Sequence, residues 1–222
     1  RWFGDSKVVD KDGKPLVVYH GTTADFAQFD AATSGTRTRA RTANLGFFFT
    51  DNKYATRTFA SGEGGNVIPA YLALNNPFEI GFRTQDERVR SPADPFDALH
   101  DAIMKIAGKA SWAEVTPGDV VAWRKKVEGM GFDGLWIRNT SMDAEPRSIR
   151  NPYHDFFIAF RPEQIKSAIG NTGAFDPGNP DIRFSQAGES PWYRSALTEA
   201  VSVLPTKAAS AEGWKQQIKG LI

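Results

Sequence analysis

Asp12-Gly13-Lys14-Pro15-Leu16-Val17-Val18-Tyr19-His20-Gly21-Thr22 is the stretch that decides the fold. A turn dipeptide feeds a β-branched run that stops at a glycine, so the chain makes a strand ending in His-Gly-Thr. Outward from it, Gly46-Phe47-Phe48-Phe49-Thr50 reads as a second strand, and Thr50 or Asp51 is placed to cap a short helix from Asn52 to Ala60, ended by Ser61-Gly62-Glu63-Gly64-Gly65. Val67 to Leu74 alternates as a strand and is closed by Asn75-Asn76-Pro77. Two helices follow. Asp94 caps the first, with Pro95 at its first position and Phe96, Leu99, Ile103 and Ile106 on one core face. Thr116-Pro117 opens the second, which carries Val120, Trp123, Val127 and Met130 on one stripe and stops at Gly131. Gly134-Leu135-Trp136-Ile137-Arg138 is a further strand, residues 139–152 a polar loop, and Phe156-Phe157-Ile158-Ala159-Phe160 a strand buried on both faces. Pro162-Glu163-Gln164-Ile165 opens a short helical turn.

No strand is followed by a glycine-rich phosphate loop of either the G-x-G-x-x-G or the Walker type, which argues against a doubly wound nucleotide-binding sheet. Short strands in two groups, with two helices inserted between them, fit an α+β domain built on two small packed sheets. Residues 33–44 hold Thr, Ser, Gly and the arginines Arg37, Arg39 and Arg41 but almost no large apolar side chain, and read as a mobile loop. Residues 170–186 are too rich in Gly, Pro and Asn for a regular element, so a domain edge is expected there. The domain then spans 1–186. Residues 187–222 regain helical spacing through Trp192, Leu197, Val201 and Leu204, then Trp214, Ile218 and Leu221. They read as an amphipathic helical tail that starts the next region of a larger polypeptide.

The 222 residues carry 27 Lys+Arg against 26 Asp+Glu, a formal net charge of +1, which gives no global field for nucleic acid or an anionic membrane. Anion binding has to be local. There is no Cys, which excludes disulfides, thiol nucleophiles and Cys-ligated zinc, and with only His20, His100 and His154 as nitrogen ligands no metal site is expected. No window approaches the roughly 18 apolar residues of a membrane span, so the chain is expected off the membrane and in the cytoplasm.

Three segments in this order resemble the ADP-ribosyltransferase fold of the diphtheria-toxin and poly(ADP-ribose) polymerase type. Tyr19-His20-Gly21-Thr22 is similar to its first strand, Gly46 through Phe59 to its second motif, and His154-Asp155-Phe156-Phe157-Ile158-Ala159-Phe160 to the strand that normally opens with a catalytic Glu. Trp2-Phe3-Gly4-Asp5-Ser6-Lys7-Val8-Val9, Gln164-Ile165-Lys166-Ser167-Ala168 and Asn179-Pro180-Asp181-Ile182-Arg183-Phe184 further resemble the ADP-ribosyltransferase-like domains of phage and mobile-element polyvalent proteins. The resemblance spans about residues 1–186. It implies a split two-sheet β core with inserted helices, and NAD as the substrate. It also implies transfer of ADP-ribose to a protein or nucleic-acid acceptor or to water, in an effector delivered into a host cell with a phage particle.

The chemistry states what such a site needs. Breaking the nicotinamide–ribose bond develops an oxocarbenium-like sugar and a flat leaving group, which call for an aromatic slot, a partner for the amide and a carboxylate near the ribose. By resemblance the NAD-binding set is Tyr19, His20, Gly21, Thr22, Phe48, Thr56 and Phe59. His20 donates to a ribose hydroxyl, Gly21 presents its backbone to the carboxamide, Phe48 and Phe59 bracket the ring, and Thr56 offers its hydroxyl to the amide. The family's Glu position falls on Phe156. Asp155, one residue early, is the catalytic candidate beside His20, provided a strand-end bulge turns it into the cleft. Glu145 is the other carboxylate. Arg37, Arg39 and Arg41 read either as a solvated loop or as a clamp on phosphate. Tyr54 beside Lys53 reads as an exposed helix residue. Without the Glu, the same fold is a nucleotide- or protein-binding module with little turnover. A ribonuclease with His20 as general base ranks lower, because the only local basic run is Arg37 to Arg41.

Overall fold

The computed structural model describes residues 3–23, 28–30, 32, 40–60, 65–81, 94–140 and 153–169. All of them belong to one compact unit, Arg1–Phe184, and the second unit, Ser185–Ile222, which holds the expected tail, lies outside the described residues. Among the described residues seven strands form a mixed sheet: β1 Val18–Thr22, β2 Phe47–Thr50, β3 Asn66–Leu72, β4 Pro77–Ile80, β5 Gly134–Thr140, β6 His154–Ala159 and β7 Ile165–Ser167. Their order is β4-β5-β6-β2-β1-β3-β7. Neighbours are antiparallel except β4 and β5, whose parallel pairing requires the long crossover supplied by helices α1 Pro95–Ala107 and α2 Pro117–Gly129.

The domain is α+β as expected, but in place of two small packed sheets the strands join in one sheet, held most thinly between β1 and β2. Those two strands share only the pair Tyr19↔Thr50, whereas β2 pairs with β6 at four positions and β1 with β3 at five. Past Tyr19 the two strands have no further paired positions, which leaves an opening between β4-β5-β6-β2 and β1-β3-β7.

Period-two alternation sends side chains to two cores. Phe156 and Ile158 of β6 join Leu135 and Ile137 of β5 against Phe96, Leu99 and Ile103 of α1 and Val120, Trp123 and Val127 of α2, on what is called here the helix face. Phe47, Phe49, Phe157 and Ala159 go to the far face, with Val8, Val18, Ala70, Leu72 and Leu74. β6 is buried at every position, so it reads as a continuous apolar run.

Both helices start where the sequence indicates. The Asp94 carboxylate accepts from Phe96 N at 3.0 Å, and Thr116 forms a reciprocal capping box with Asp119. Their expected stripes overreach by one turn, since Ile106 is 45% and Met130 63% exposed, each beyond the point where the helix leaves the sheet. The helix expected from Asn52 to Ala60 is only a 3-10 turn, Ala55–Thr58. Thr50 Oγ1 accepts from Asn52 N and Asn52 Oδ1 from Tyr54 N, and such local bonds compete with helical ones. Two short strands, β4 and β7, had no readable alternation. Residues 41–44, expected within a mobile loop, form with Leu45 a 3-10 helix in which Thr42 and Leu45 are buried.

Buried polar side chains tie the ends to the sheet. Ser6 Oγ donates to Leu72 O at 2.7 Å and accepts from Val8 N and Leu74 N. Gln164 donates to Asp133 O at 2.7 Å, while the Asp133 carboxylate accepts from the amides of Asn75 and Asn76. These bonds account for two of the segments singled out at the chain's ends.

Candidate functional site

The opening between β1 and β2 collects the expected donor-site residues. Continuing the register from Tyr19↔Thr50, Gly21 comes across the gap from Phe48. On the β1 side the 3-10 turn Ala55–Thr58 lies directly over Gly21. A Cβ at Gly21 would stand 2.4 Å from Thr56 O, 3.0 Å from Thr56 Cβ and 3.2 Å from Phe59 Cβ. The glycine is therefore demanded first by the turn packed on it, not by a ligand. Phe59 remains 44% exposed beside it. Thr56 is buried, and its hydroxyl donates to Lys53 O at 2.6 Å, so toward an amide it can only accept. On the other side of the gap, Phe48 is half-buried and packs edge-on against Phe156 with centroids 6.3 Å apart.

His20 spans the gap. Its Nδ1 lies 2.8 Å from Phe48 O, taking the place of the ladder bond that β1 and β2 no longer make, and its ring packs on Phe29 at 5.0 Å and Phe49 at 5.4 Å. Burial pushes the imidazole below its ordinary value, against the Phe48 hydrogen bond that favours the charged form. A carbonyl can only accept, so Nδ1 carries a proton and donates to Phe48 O. Tyr19 is half-buried between Thr50 and Pro69, and Thr22 closes β1 opposite Asn66.

The third motif departs from expectation. Phe156 follows the regular pairing with Thr50 and Ile137, faces the helices and is 3% exposed, with Phe96 at 5.5 Å and the His154 ring at 5.0 Å. Asp155 points to the far face and does not enter the opening. Its Oδ2 accepts from the Trp136 indole at 2.8 Å and its Oδ1 from Asn139 N at 2.9 Å. The irregularity that was to turn it inward exists, but in β5, between Ile137 and Thr140. Trp136 and Asn139 were not singled out from sequence; nothing in an indole two residues into a strand, or an asparagine at its end, signals a carboxylate partner across the sheet.

Glu145, Arg37 and Arg39 lie outside the described residues. Arg41 donates to Ala113 O at 3.2 Å, which ties its 3-10 helix to the segment before α2. Tyr54 is exposed, with Lys53 Nζ 5.3 Å from its ring. Among the described residues no group of three His, Asp or Glu could hold a metal ion, and no helix is long and apolar enough to cross a membrane.

Comparison with protein families gives one finding. A family model described as "ADP-Ribosyltransferase in polyvalent proteins" matches residues 10–175, a span that includes every strand and both helices. No curated protein and no solved structure matches the chain.

Proposed function

The chain belongs to the family of ADP-ribosyltransferases in polyvalent proteins, and from that premise we propose that it cleaves NAD in the opening between β1 and β2 and transfers ADP-ribose to a macromolecular acceptor or to water. The observation that carries the placement is the convergence of Gly21, Thr56 and Phe59 across the gap from Phe48. Phe59 and Phe48 bracket the flat nicotinamide ring, since aromatic faces stack on one another with useful specificity. Gly21 offers its backbone, and the Thr56 hydroxyl oxygen accepts from the carboxamide. His20, its ring oriented by the Nδ1 bond to Phe48 O, holds a ribose hydroxyl.

Turnover is slow in this reading. Loss of one electrostatic contact to a developing charge costs on the order of 100- to 1000-fold in rate, and Phe156 stands where such a carboxylate belongs. What remains is positioning of the reacting bond. The role in a phage or mobile-element polyprotein, and a protein or nucleic-acid acceptor, belong to the same proposal and rest on the family resemblance.

A second reading is favoured by Asp155 being bound on the far face: the slot holds a nucleotide without cleaving it. Nicotinamide release from NAD, followed alongside NAD binding by calorimetry, separates the two. Release above the uncatalysed rate, lowered by Phe48→Ala, supports transfer. Binding without release establishes the second reading, and absence of binding overturns both.

A further inference from the structure

Arg138 and Asn139 of β5 stand against the single residue Asp155 of β6. Such a bulge leaves an amide without its ladder partner, and here Asn139 also adopts φ 57, in the left-handed region. The Asp155 carboxylate serves this distortion directly. Oδ1 takes the Asn139 amide at 2.9 Å and Oδ2 takes the Trp136 indole at 2.8 Å. The Trp136 face is covered by the Arg138 guanidinium at 3.7 Å, and Arg138 Nε stands 3.0 Å from Glu79 Oε2.

The consequence is one of parity. On a regular strand Thr140, three residues after Ile137, would face the opposite way from it. With the bulge, Thr140 comes opposite His154, and its hydroxyl donates to the Asp94 carboxylate at the start of α1 at 2.8 Å. Thr140 is also the last residue of β5. On its other side the Asp155 backbone is paired with Asp51: its N–H donates to Asp51 Oδ1 at 3.0 Å and its carbonyl accepts from Asp51 N at 3.3 Å. From Asp51 the chain runs to the turn carrying Thr56 and Phe59.

We propose that Asp155 is a positioning residue of the transferase, which acts through Asn139, Trp136 and its backbone pairing with Asp51 to hold the ends of β5 and β2, from which the chain runs to the turn carrying Thr56 and Phe59, and which does not touch the sugar. This rests on the transferase reading above. The carboxylate is 3% exposed on the far face and already accepts from two donors, so it has the geometry of a strut. It replaces the catalytic role expected from the sequence.

The test compares nicotinamide release at saturating NAD in the wild type, Asp155→Asn, Trp136→Phe, the double Asp155→Asn/Trp136→Phe, and Asp155→Asn/Asn139→Gly. Asp155→Asn is expected to lower release about tenfold, the scale of a small misplacement of the site. Trp136→Phe gives a smaller loss, and the double variant is no worse than Asp155→Asn alone, because both remove one shared interaction. Asn139→Gly adopts the positive φ without a clamp, and returns Asp155→Asn to within about threefold of the wild type, the range expected when a bulge is restored without its carboxylate. A carboxylate acting on the sugar could not be replaced in this way. Loss beyond about 100-fold with no recovery on Asn139→Gly, the size of a lost transition-state contact, would overturn the proposal. Trp136→Phe keeps the carboxylate and reports even if Asp155→Asn fails to fold; full wild-type activity in that variant also overturns it. A wild type that releases no nicotinamide overturns the transferase reading instead. Positioning is then decided by hydrogen exchange over residues 134–140, which must rise in Trp136→Phe or Asp155→Asn, fall back with Asn139→Gly, and refutes the strut if unchanged.

Discussion

Gly21→Ala is the perturbation that most directly tests how the donor slot is assembled. The added methyl would stand 2.4 Å from Thr56 O, a backbone atom that cannot rotate away, and 3.0 and 3.2 Å from the Cβ atoms of Thr56 and Phe59. To bring the first contact out to the edge of what real Cβ atoms show, the turn must retreat by about 0.6 Å, and overpacking of this kind typically costs about 1–3 kcal/mol. For a domain of this size each kcal/mol lowers Tm by about 2–4 °C, so a fall of about 2–12 °C is expected. Retreat of the turn carries Thr56 and Phe59 away from Phe48, and displacements near 1 Å at a reacting site cost up to about 100-fold. Thermal denaturation reads the first effect and NAD titration the second. If Gly21→Ala melts within 1 °C of the wild type, the van der Waals reasoning fails. If it melts lower yet binds NAD unchanged, the slot does not lie at this opening.

Three further outcomes follow from the same geometry. Phe48→Ala should weaken NAD binding by about 1–3 kcal/mol through loss of a stacked face, and calorimetry showing unchanged affinity would remove Phe48 from the slot. Burial lowers the His20 pKa in the folded state, so the unfolded chain binds more protons as pH falls; the stability is complete above the unfolded histidine value of about 6.5 and declines below it. His20→Asn should make stability less dependent on pH in urea titrations between about pH 5 and 8. It does not abolish the slope, because burial also lowers His100, against the pull of Asp97, Asp101 and Asp94; equal slopes in variant and wild type would contradict the assignment. Ser6→Ala strips a donor from Leu72 O and an acceptor from the amides of Val8 and Leu74. A loss of about 1–3 kcal/mol, the cost of buried groups left unsatisfied, is expected by denaturant titration, and a loss under 0.5 kcal/mol would show that water replaces the hydroxyl.

Much of the fold could be read along the chain because its signals are local. Asp94-Pro95 and Thr116-Pro117 are helix starts by the chemistry of a side-chain oxygen next to an unsatisfied amide, and they start helices here. The run from Phe156 to Ala159 is a strand buried on both faces because no polar residue interrupts it, and Phe160 follows just after its end. β4 and β7 were not legible: four and three residues are too short to show a period, and both strands exist because β5 and β3 offer them a partner. The stripes ending in Ile106 and Met130 ran too far because periodicity states which way a side chain points along a helix, not where the helix loses its neighbour.

The candidate site divides along the same line. Its residue types, His-Gly in the first strand and the aromatics at 48 and 59, were fixed by the sequence, since order along the chain and residue chemistry are sequence properties. That Phe48 and Phe156 share a face while Asp155 takes the other was fixed only by the register of β6 between β2 and β5. So was the direction of the His20 hydrogen bond, set by a carbonyl 28 residues away in sequence. Register is a sum over cross-strand pairs far apart in the chain, and one residue of slip or one bulge reverses every face beyond it. A carboxylate named from the sequence as the reacting group is for that reason turned to the far face, where it accepts from Trp136 and Asn139, the extra residue having been inserted in β5 and not in β6.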